Sequence, residues 1–137
     1  MTNYTLNAYL HFNGNAEEVL NFYQSVFGGK LIISRYGDNP GANVAEGFKN
    51  QVMHGDLVSE SIRLMASDSG PMGEGIVGTN FSLSLSGPDR ANLKSFYERL
   101  IEGGTVAVPL AASPWGDEFG MFSDKFGVSW MLNITKA

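Results

Sequence analysis

The 137-residue chain contains no cysteine, and this absence excludes disulfide bonds, thiolate catalysis and zinc sites built on cysteine. Positive charge is also scarce, since nine lysines and arginines stand against fourteen aspartates and glutamates, for a net charge of −5. A chain without a basic stripe has little with which to neutralise phosphates. We therefore expect no nucleic-acid partner and no anionic membrane partner.

Long apolar runs are absent as well. No stretch of the sequence approaches the roughly 20 residues that a membrane-spanning helix requires, and residues 1–4 lack the basic start of a secretory signal. We therefore expect a cytoplasmic protein. With 43% hydrophobic and 17% charged residues, the chain has the composition and size of a single globular domain that forms its core without disulfide or metal cross-links.

What the sequence does contain is an internal repeat. Residues 21–31 (NFYQSVFGGKL) and 95–106 (SFYERLIEGGTV) each place an aromatic pair on an amphipathic helix, followed by two glycines and an apolar strand. Phe22 matches Phe96 and Gly28 matches Gly103, so the offset is close to half the chain length. Such a period indicates a duplicated supersecondary unit.

Hydrophobic periodicity predicts the same order of elements in both halves, namely strand, helix, strand, strand and strand. The first half is predicted to contain strands at 5–12, 31–36, 51–58 and 61–67 and a helix at 16–27, with Asn15 and Glu18 at capping-box spacing. The second half is predicted to contain strands at 80–86, 105–110, 118–123 and 128–134 and a helix at 89–102, with Pro88 in its first turn. A glycine-rich linker at 70–78 separates a first module, about 1–69, from a second, about 79–137.

This doubled unit resembles the vicinal oxygen chelate superfamily, also called the glyoxalase/bleomycin-resistance fold, and more narrowly its PhnB-like branch. The segments that carry the resemblance are 9–18 (YLHFNGNAEE), 22–23, 27–29, 54–57 (HGDL), 64–68 (LMASD), 115–116 and 124–130 (DKFGVSW). They span nearly the whole chain in the expected order. The resemblance implies an α+β fold in which two tandem βαβββ modules form an open, curved, eight-stranded barrel-like sheet around a cavity, with the helices on the convex side.

The alternation of the first strands assigns side chains to the two faces. The positions predicted to lie under the helices are Leu6, Ala8, Leu10, Phe12, Phe81, Leu83 and Leu85. The positions left for the concave side, where the superfamily places its chemistry, are Asn7, Tyr9, His11, Asn80, Ser82 and Ser84.

Within that cavity we take His54 as the candidate catalytic base, because imidazole is suited to proton transfer near neutral pH. The candidate ligand-binding residues are Asn7, Tyr9, His11, Asp56, Asn80, Ser82, Trp115, Phe119 and Met131. Asp56 either orients His54 or points outward at the rim. Structural alternatives stand beside these roles: His54 as a hydrogen-bonded wall residue, His11 as a rim residue and Trp115 as a cavity lid or dimer contact.

Three further residues have mainly structural interpretations. Trp130 alternates with the cavity-facing Met131 and is predicted to lie in the core. Asp68 and Asp124 are predicted to make turn or cap hydrogen bonds.

The resemblance also raises the question of a metal. Metal-dependent members carry histidine and glutamate ligands at strand positions that fall here on Asn7, His54, Asn80 and Met131. One imidazole, two amides and a thioether make a poor site for zinc, nickel or iron. We therefore expect no metal site and no cofactor, with a shifted group of His11, His54 and Asp56 as the alternative if the strands are irregular.

Three functions stay open, and the sequence does not decide whether the protein is an enzyme. It binds or converts a small polar or aromatic molecule without a metal, it sequesters a ligand as the bleomycin-resistance members do, or it is a metal-dependent lyase, isomerase or dioxygenase. Proteins of this branch also carry a ubiquinone-pathway methyltransferase label, which we discount because the chain lacks the strand, glycine turn and acidic partner of a Rossmann site. Members of the superfamily commonly dimerise, and we expect a homodimer.

Overall fold

The predicted order of elements appears in both halves of the chain. The computed structural model describes residues 3–39, 41, 43–70 and 73–136. The first half contains β1 (Ala8–Phe12), α1 (Ala16–Phe27), β2 (Lys30–Arg35), β3 (Val52–Ser59) and β4 (Ile62–Asp68). The second half contains β5 (Leu83–Gly87), α2 (Arg90–Leu100), β6 (Thr105–Ala112), β7 (Glu118–Ser123) and β8 (Ser129–Ile134).

Each half forms its own compact unit, one ending at Ile76 and the other beginning at Val77. The first sheet has the strand order β1-β4-β3-β2 and the second has the order β5-β8-β7-β6. In both sheets the first strand pairs in parallel with the last, and the remaining pairs are antiparallel. The prediction of an α+β fold with two βαβββ modules is therefore confirmed, while closure of the two sheets around one shared cavity stays a prediction.

Helix α1 forms because its apolar residues recur every three or four positions and so share one face. The residues buried on that face are Ala16, Val19, Leu20, Tyr23, Val26 and Phe27. Beneath them Gly55 of β3 has no side chain, and a Cβ there would collide with Cδ1 of Leu20. This glycine therefore lets the helix pack closely on the sheet. Among the described residues, neither helix is long and apolar enough to cross a membrane.

The repeated Gly-Gly pair follows each helix, directly after α1 and with two residues intervening after Leu100 of α2, and both of its positions have a steric reason. Gly28 and Gly103 have φ angles of 74° and 73°, in the left-handed region that favours glycine. At the next residue a Cβ would meet backbone of the third strand of the module, the carbonyl of Val58 for Gly29 and of Ser123 for Gly104. The second glycine of each pair is thus required by the close approach of two backbone segments.

The helices begin at or next to the predicted residues, but the hydrogen bonds that cap them differ from the prediction. Asn15 occupies the N-cap position of α1, but its side chain makes no capping hydrogen bond. Asp68, at the end of β4, instead accepts from the backbone N–H of Ala16 at 2.9 Å. In the second module Pro88 lies ahead of α2, and Asp89 is the N-cap, accepting from the N–H of Asn92 at 3.2 Å.

Both first strands are shorter than predicted. Leu6 is fully exposed and Phe81 is 59% exposed, and each lies ahead of its strand, so the prediction that they pack under a helix is wrong. Parallel pairing begins only at Ala8 opposite Leu64 and at Leu83 opposite Trp130. In the sequence, apolar and polar residues alternate beyond the residues that pair with another strand. This alternation therefore could not indicate where the pairing of β1 and β5 starts.

Candidate functional site

The side of the first sheet that faces away from α1, here called the helix-free face, carries most of the polar side chains of that sheet. Leu10, Leu64 and Ala66 are buried on the helix side, so their strand neighbours point the other way. Register places Tyr9 beside Met65, which in turn pairs with Asp56. On β1, β3 and β4, the polar and titratable residues of this face are Tyr9, His11, His54, Asp56, Arg63 and Ser67.

Three of the residues predicted for the site come together on this face. The hydroxyl of Tyr9 lies 2.8 Å from Nδ1 of His54. The Tyr9 ring is 5.5 Å from the His54 ring and 5.2 Å from the His11 ring, measured between centroids. On the other side, Oγ of Ser67 lies 3.3 Å from Nδ1 of His11. Tyr9 therefore joins both histidines of the chain into one cluster, here called the Tyr9–His54 cluster.

Asp56 belongs to the same face but is engaged elsewhere. Its Oδ1 accepts from Nε of Arg63 at 3.2 Å, and its Oδ2 accepts from Nη2 at 3.0 Å. The hydrogen bond from Arg63 lowers the pKa of Asp56 below its ordinary value. Of the two predicted roles, orienting His54 is not seen, because both oxygens of this carboxylate accept from Arg63. Arg63 was not among the predicted site residues, although the register of the β3–β4 hairpin could have revealed it as a diagonal neighbour.

Asp68 is the buried acidic group of the first module, and its contacts are structural. It is 1% exposed, and its two oxygens accept from the backbone N–H groups of Gly14, Ala16 and Val52 at 2.8 to 2.9 Å. The Tyr36 hydroxyl donates to its carbonyl oxygen at 2.8 Å, and burial raises the pKa of Tyr36. The predicted turn or cap role of Asp68 is confirmed.

The second module has an aromatic group at the loop after β6. Trp115 is 58% exposed and lies edge-on to Phe119, with ring centroids 5.4 Å apart. Its indole N–H donates to Oδ1 of Asn133 at 3.2 Å, and Nδ2 of Asn133 donates to Asp117 at 2.9 Å. Asn133 and Asp117 were not among the predicted site residues, although alternation along β8 places Asn133 on the same face as Met131.

Trp130 and Asp124 also have the structural roles that the sequence predicts. Trp130 is 2% exposed, and its indole N–H donates to Asp124 at 2.9 Å. Asp124 also accepts from the N–H groups of Phe126 and Val128, which closes the β7–β8 turn.

Three of the ligand-binding residues that were predicted to lie on strands lie outside them. Asn7 is exposed ahead of β1 and donates to Oγ1 of Thr5 at 3.1 Å. Asn80 and Ser82 lie ahead of β5, the first exposed and the second half-buried. The prediction that strand alternation fixes their direction is therefore wrong, because residues outside the ladder are not held to one face.

The metal positions named from the superfamily do not make a good site here. They supply one imidazole, two amides and one thioether, of which the imidazole of His54 already meets Tyr9 through Nδ1. Such a set is poorly suited to zinc, nickel or iron. Across residues 3–39, 41, 43–70 and 73–136, no three histidine, aspartate or glutamate side chains are grouped so that they could hold a metal ion.

Two open depressions lie in the first module, and neither includes the Tyr9–His54 cluster. One, of about 420 Å³, is bordered by residues 6–8 and by the β3–β4 turn at 58–63. The other, of about 430 Å³, is lined by Asn13, Phe48, Gln51, Gly70, Gly73 and Glu74. The cluster is therefore identified by its side-chain chemistry and contacts.

Comparison with known proteins gives one family match and several close structures. The family model for 3-demethylubiquinone-9 3-methyltransferase matches residues 5–133. Protein YjdN of Escherichia coli is 27% identical over 96% of this chain and 95% of its own length.

Two solved structures are similar over nearly the full length. Protein PA1353 from Pseudomonas aeruginosa has a TM-score of 0.83 and 36% identity, covering 97% of this chain and 100% of the other. The PhnB protein from Bacillus cereus has a TM-score of 0.77 and 27% identity, covering 96% and 100%. The fold is also that of a glyoxalase/bleomycin resistance protein/dioxygenase superfamily member from Sphaerobacter thermophilus, with a TM-score of 0.56 and 20% identity over 96% and 98%.

Proposed function

We propose that this protein binds a small polar or aromatic molecule without a metal. The chain belongs to the PhnB-like 3-demethylubiquinone-9 3-methyltransferase family of the glyoxalase/bleomycin resistance/dioxygenase superfamily. The observation that carries this proposal is the Tyr9–His54 cluster. A tyrosine ring lies between two imidazoles on a sheet face that also holds a guanidinium group and a serine hydroxyl. Few convergent polar groups beside an aromatic surface are typical of small-molecule sites.

The proposed site lies on the helix-free face of the first module. His54 is the residue for proton transfer or orientation, since its ring is half-buried and held by Tyr9. In the second module, exposed Trp115 lies against half-buried Phe119 and is held in one orientation by its hydrogen bond to Asn133, so this group is a separate candidate for apolar contacts with a ligand.

A thermal-shift screen of small polar and aromatic metabolites tests the proposal. Hits should raise the melting temperature of the wild-type protein and shift the His54→Ala variant less. Glu60→Ala, at an exposed turn position of the same module, is the matched control and should respond like the wild type. A full screen without one saturable hit would contradict the proposal.

A sequestering binder is the second candidate, favoured by the exposed Trp115 and by the net charge of −5, which suits a cationic ligand. The two functions differ in turnover. If the protein is an enzyme, His54→Ala should retain part of the binding while product formation stops. If it sequesters its ligand, the ligand should be recovered unchanged from the wild type after prolonged incubation.

We do not propose the methyltransferase activity that the family description carries. Cofactor sites for methyl transfer of the Rossmann type need a parallel sheet with a glycine-rich turn and an acidic partner. In the part of the chain that the structure describes, both sheets are mixed and each contains one parallel pair.

A metal-dependent lyase, isomerase or dioxygenase is likewise disfavoured by the donor set described above. Elemental analysis after incubation with nickel, zinc, manganese and iron tests this, and one tightly held metal per chain, lost in His54→Ala, would reverse it.

The protein is further proposed to act as a cytoplasmic homodimer without a nucleic-acid or membrane partner. Support for a dimer comes from large apolar side chains that are exposed in the single chain, including Leu6 and Phe81, and from the outer strands of each sheet. Light scattering at micromolar concentration should give twice the 14.8 kDa of one chain. A monomeric mass would contradict the dimer.

A further inference from the structure

Both histidines of this chain meet a hydroxyl group through the same ring nitrogen. Nδ1 of His54 lies 2.8 Å from the Tyr9 hydroxyl, and Nδ1 of His11 lies 3.3 Å from the Ser67 hydroxyl. A neutral imidazole has one N–H donor and one acceptor nitrogen, and a hydrogen bond at one nitrogen decides which of them carries the proton. The partner at Nδ1 therefore determines what Nε2 offers to a ligand.

The phenol is the natural donor in the contact between Tyr9 and His54. A tyrosine hydroxyl has a single proton, and the lone pair of a neutral imidazole nitrogen is a strong acceptor for it. If Nδ1 accepts from Tyr9, the ring proton of neutral His54 must be on Nε2. The same argument applies to Ser67 and His11, where the contact is longer.

We infer that Tyr9 is a positioning residue that holds neutral His54 with its proton on Nε2, so that the cluster offers an N–H donor and selects a ligand with an oxyanion. This inference rests on the proposed function and refines it, since His54 then acts on its ligand first as a donor. Removing a proton from the ligand directly through Nε2 would require the other tautomer, in which Tyr9 no longer donates to Nδ1.

The charges on the helix-free face favour the same class of ligand. The carboxylate among the described strand residues of this face, Asp56, has both oxygens engaged by Arg63. What remains around it are N–H donors: the guanidinium N–H groups of Arg63 that do not bond Asp56 and, because Nδ1 of both rings accepts, the two imidazole Nε2–H groups. Although the whole chain has a net charge of −5, this face is suited to a carboxylate, phosphate or phosphonate group.

Nitrogen-15 NMR of histidine tests the inference directly, because the chain contains only two histidines. Long-range proton–nitrogen spectra of ¹⁵N-histidine-labelled protein would be recorded at about pH 8, above the usual titration range of imidazole. His54 should show the pattern of a ring protonated at Nε2. In Tyr9→Phe, which keeps the ring and removes the hydroxyl, the Nδ1 signal of His54 should move strongly and that of His11 much less.

Ser67→Ala is the matched variant, and it should move the Nδ1 signal of His11 while leaving that of His54 in place. A wild-type His54 protonated at Nδ1 would overturn the inference, and so would a Tyr9→Phe spectrum in which His54 is unchanged. Both results would leave His54 available as a base and the proposed function intact.

The ligand class is tested by titration of the same sample with inorganic phosphate, against sodium chloride and tetramethylammonium chloride at equal ionic strength. Saturable shifts at His54 with phosphate alone support an oxyanion ligand. Saturable shifts with tetramethylammonium, or none with phosphate, overturn that class. Failure of the metabolite screen together with an Nε2-protonated His54 would count against the proposed function and leave the role of Tyr9 standing.

Discussion

The two modules share one backbone plan and differ in how each holds its helix. Helix α1 buries six residues, whereas α2 buries Leu93 and Leu100. The N-terminus of α1 is capped from a distance by buried Asp68, and that of α2 is capped locally by Asp89. In the first module the cap of the helix therefore comes from the last strand of the sheet, whereas in the second it comes from the residue next to the helix.

The repeat retains glycine at positions where another backbone segment lies too close for any side chain. Gly29 and Gly104 occupy equivalent places, and in both a side chain would meet a carbonyl of the third strand in its module. The face residues, in contrast, have diverged. The first sheet carries the Tyr9–His54 cluster, and the second carries Trp115, Phe119 and Asn133. Duplication has thus kept the steric requirements and left the polar chemistry free to specialise.

The largest difference in stability between matched variants of the two modules is expected when the distant cap is removed. Asp68→Ala leaves three backbone N–H groups without their acceptor, of which those of Ala16 and Val52 are buried. We expect it to lower the free energy of unfolding by about 3 to 5 kcal/mol. The matched change in the second module, Asp89→Ala, removes an exposed cap and should cost about 1 kcal/mol. Urea unfolding of both variants checks this, and equal losses would contradict the difference between the modules.

A second pair of variants tests what the modules have in common. Gly29→Ala and Gly104→Ala each bring a Cβ against a backbone carbonyl, so both should lower the free energy of unfolding by about 2 to 3 kcal/mol. Gly28→Ala is the control, since its φ is 74° but the space around it is open, and it should cost about 1 kcal/mol. Thermal or urea unfolding gives the comparison. If Gly104→Ala were neutral, close backbone approach would not explain the repeated glycine.

The two tryptophans of the second module allow its exposed face and its core to be compared by fluorescence. Asn133→Ala removes the hydrogen-bond partner of Trp115 and should cost about 1 kcal/mol while freeing the exposed indole. Acrylamide should then quench the Trp115 emission more strongly, whereas Trp130, 2% exposed, should stay protected. Trp115→Phe assigns the two emissions. Unchanged quenching in Asn133→Ala would show that Asn133 does not hold the ring.

The smallest effect concerns the helix–sheet ion pairs, which have opposite polarity in the two modules. Arg35 of β2 pairs with Glu17 of α1, while Arg90 of α2 pairs with Glu118 of β7. The hydrogen bond from Arg35 lowers the pKa of Glu17, so the pair stabilises the fold above the ordinary carboxyl range. That stabilisation is lost as the pH falls through the lowered pKa. Because both side chains are partly exposed, Glu17→Gln should cost less than about 1 kcal/mol at pH 7.

Urea midpoints of the wild type and Glu17→Gln measured across the acid range check the sign. The gap between them should be largest near neutral pH and close on acidification. A gap that widens in acid would mean that the pair acts in the opposite sense.

Much of the fold could be predicted because it depends on the periodicity of apolar residues within short segments of the sequence. The span of α1 follows from its apolar period and its glycine stop, and Trp130 in the core follows from alternation along β8. The starts of β1 and β5 could not be predicted, since strand length depends on where a partner from another part of the chain begins. The distant cap by Asp68 was hidden for the same reason, because its three partners are 16 to 54 residues away.

The candidate site was predictable only in part. Alternation placed Tyr9 and His11 on one face, and the superfamily resemblance added His54, but no pattern indicated that Tyr9 would reach His54 across the intervening strand. Arg63 was missed because it acts through Asp56 on the neighbouring strand, and Asn133 was missed because it acts through residues in the loop after β6. Side-chain partners across a sheet depend on register, which the hydrophobic pattern alone does not fix.

We propose that the first module supplies the polar recognition of the ligand. Backbone proton–nitrogen NMR spectra, recorded during titration with the strongest hit of the metabolite screen, test this proposal. We expect saturable shifts at Tyr9, His11, His54 and Ser67. Saturable shifts at Trp115, Phe119 and Asn133, with none at Tyr9 and His54, would contradict it.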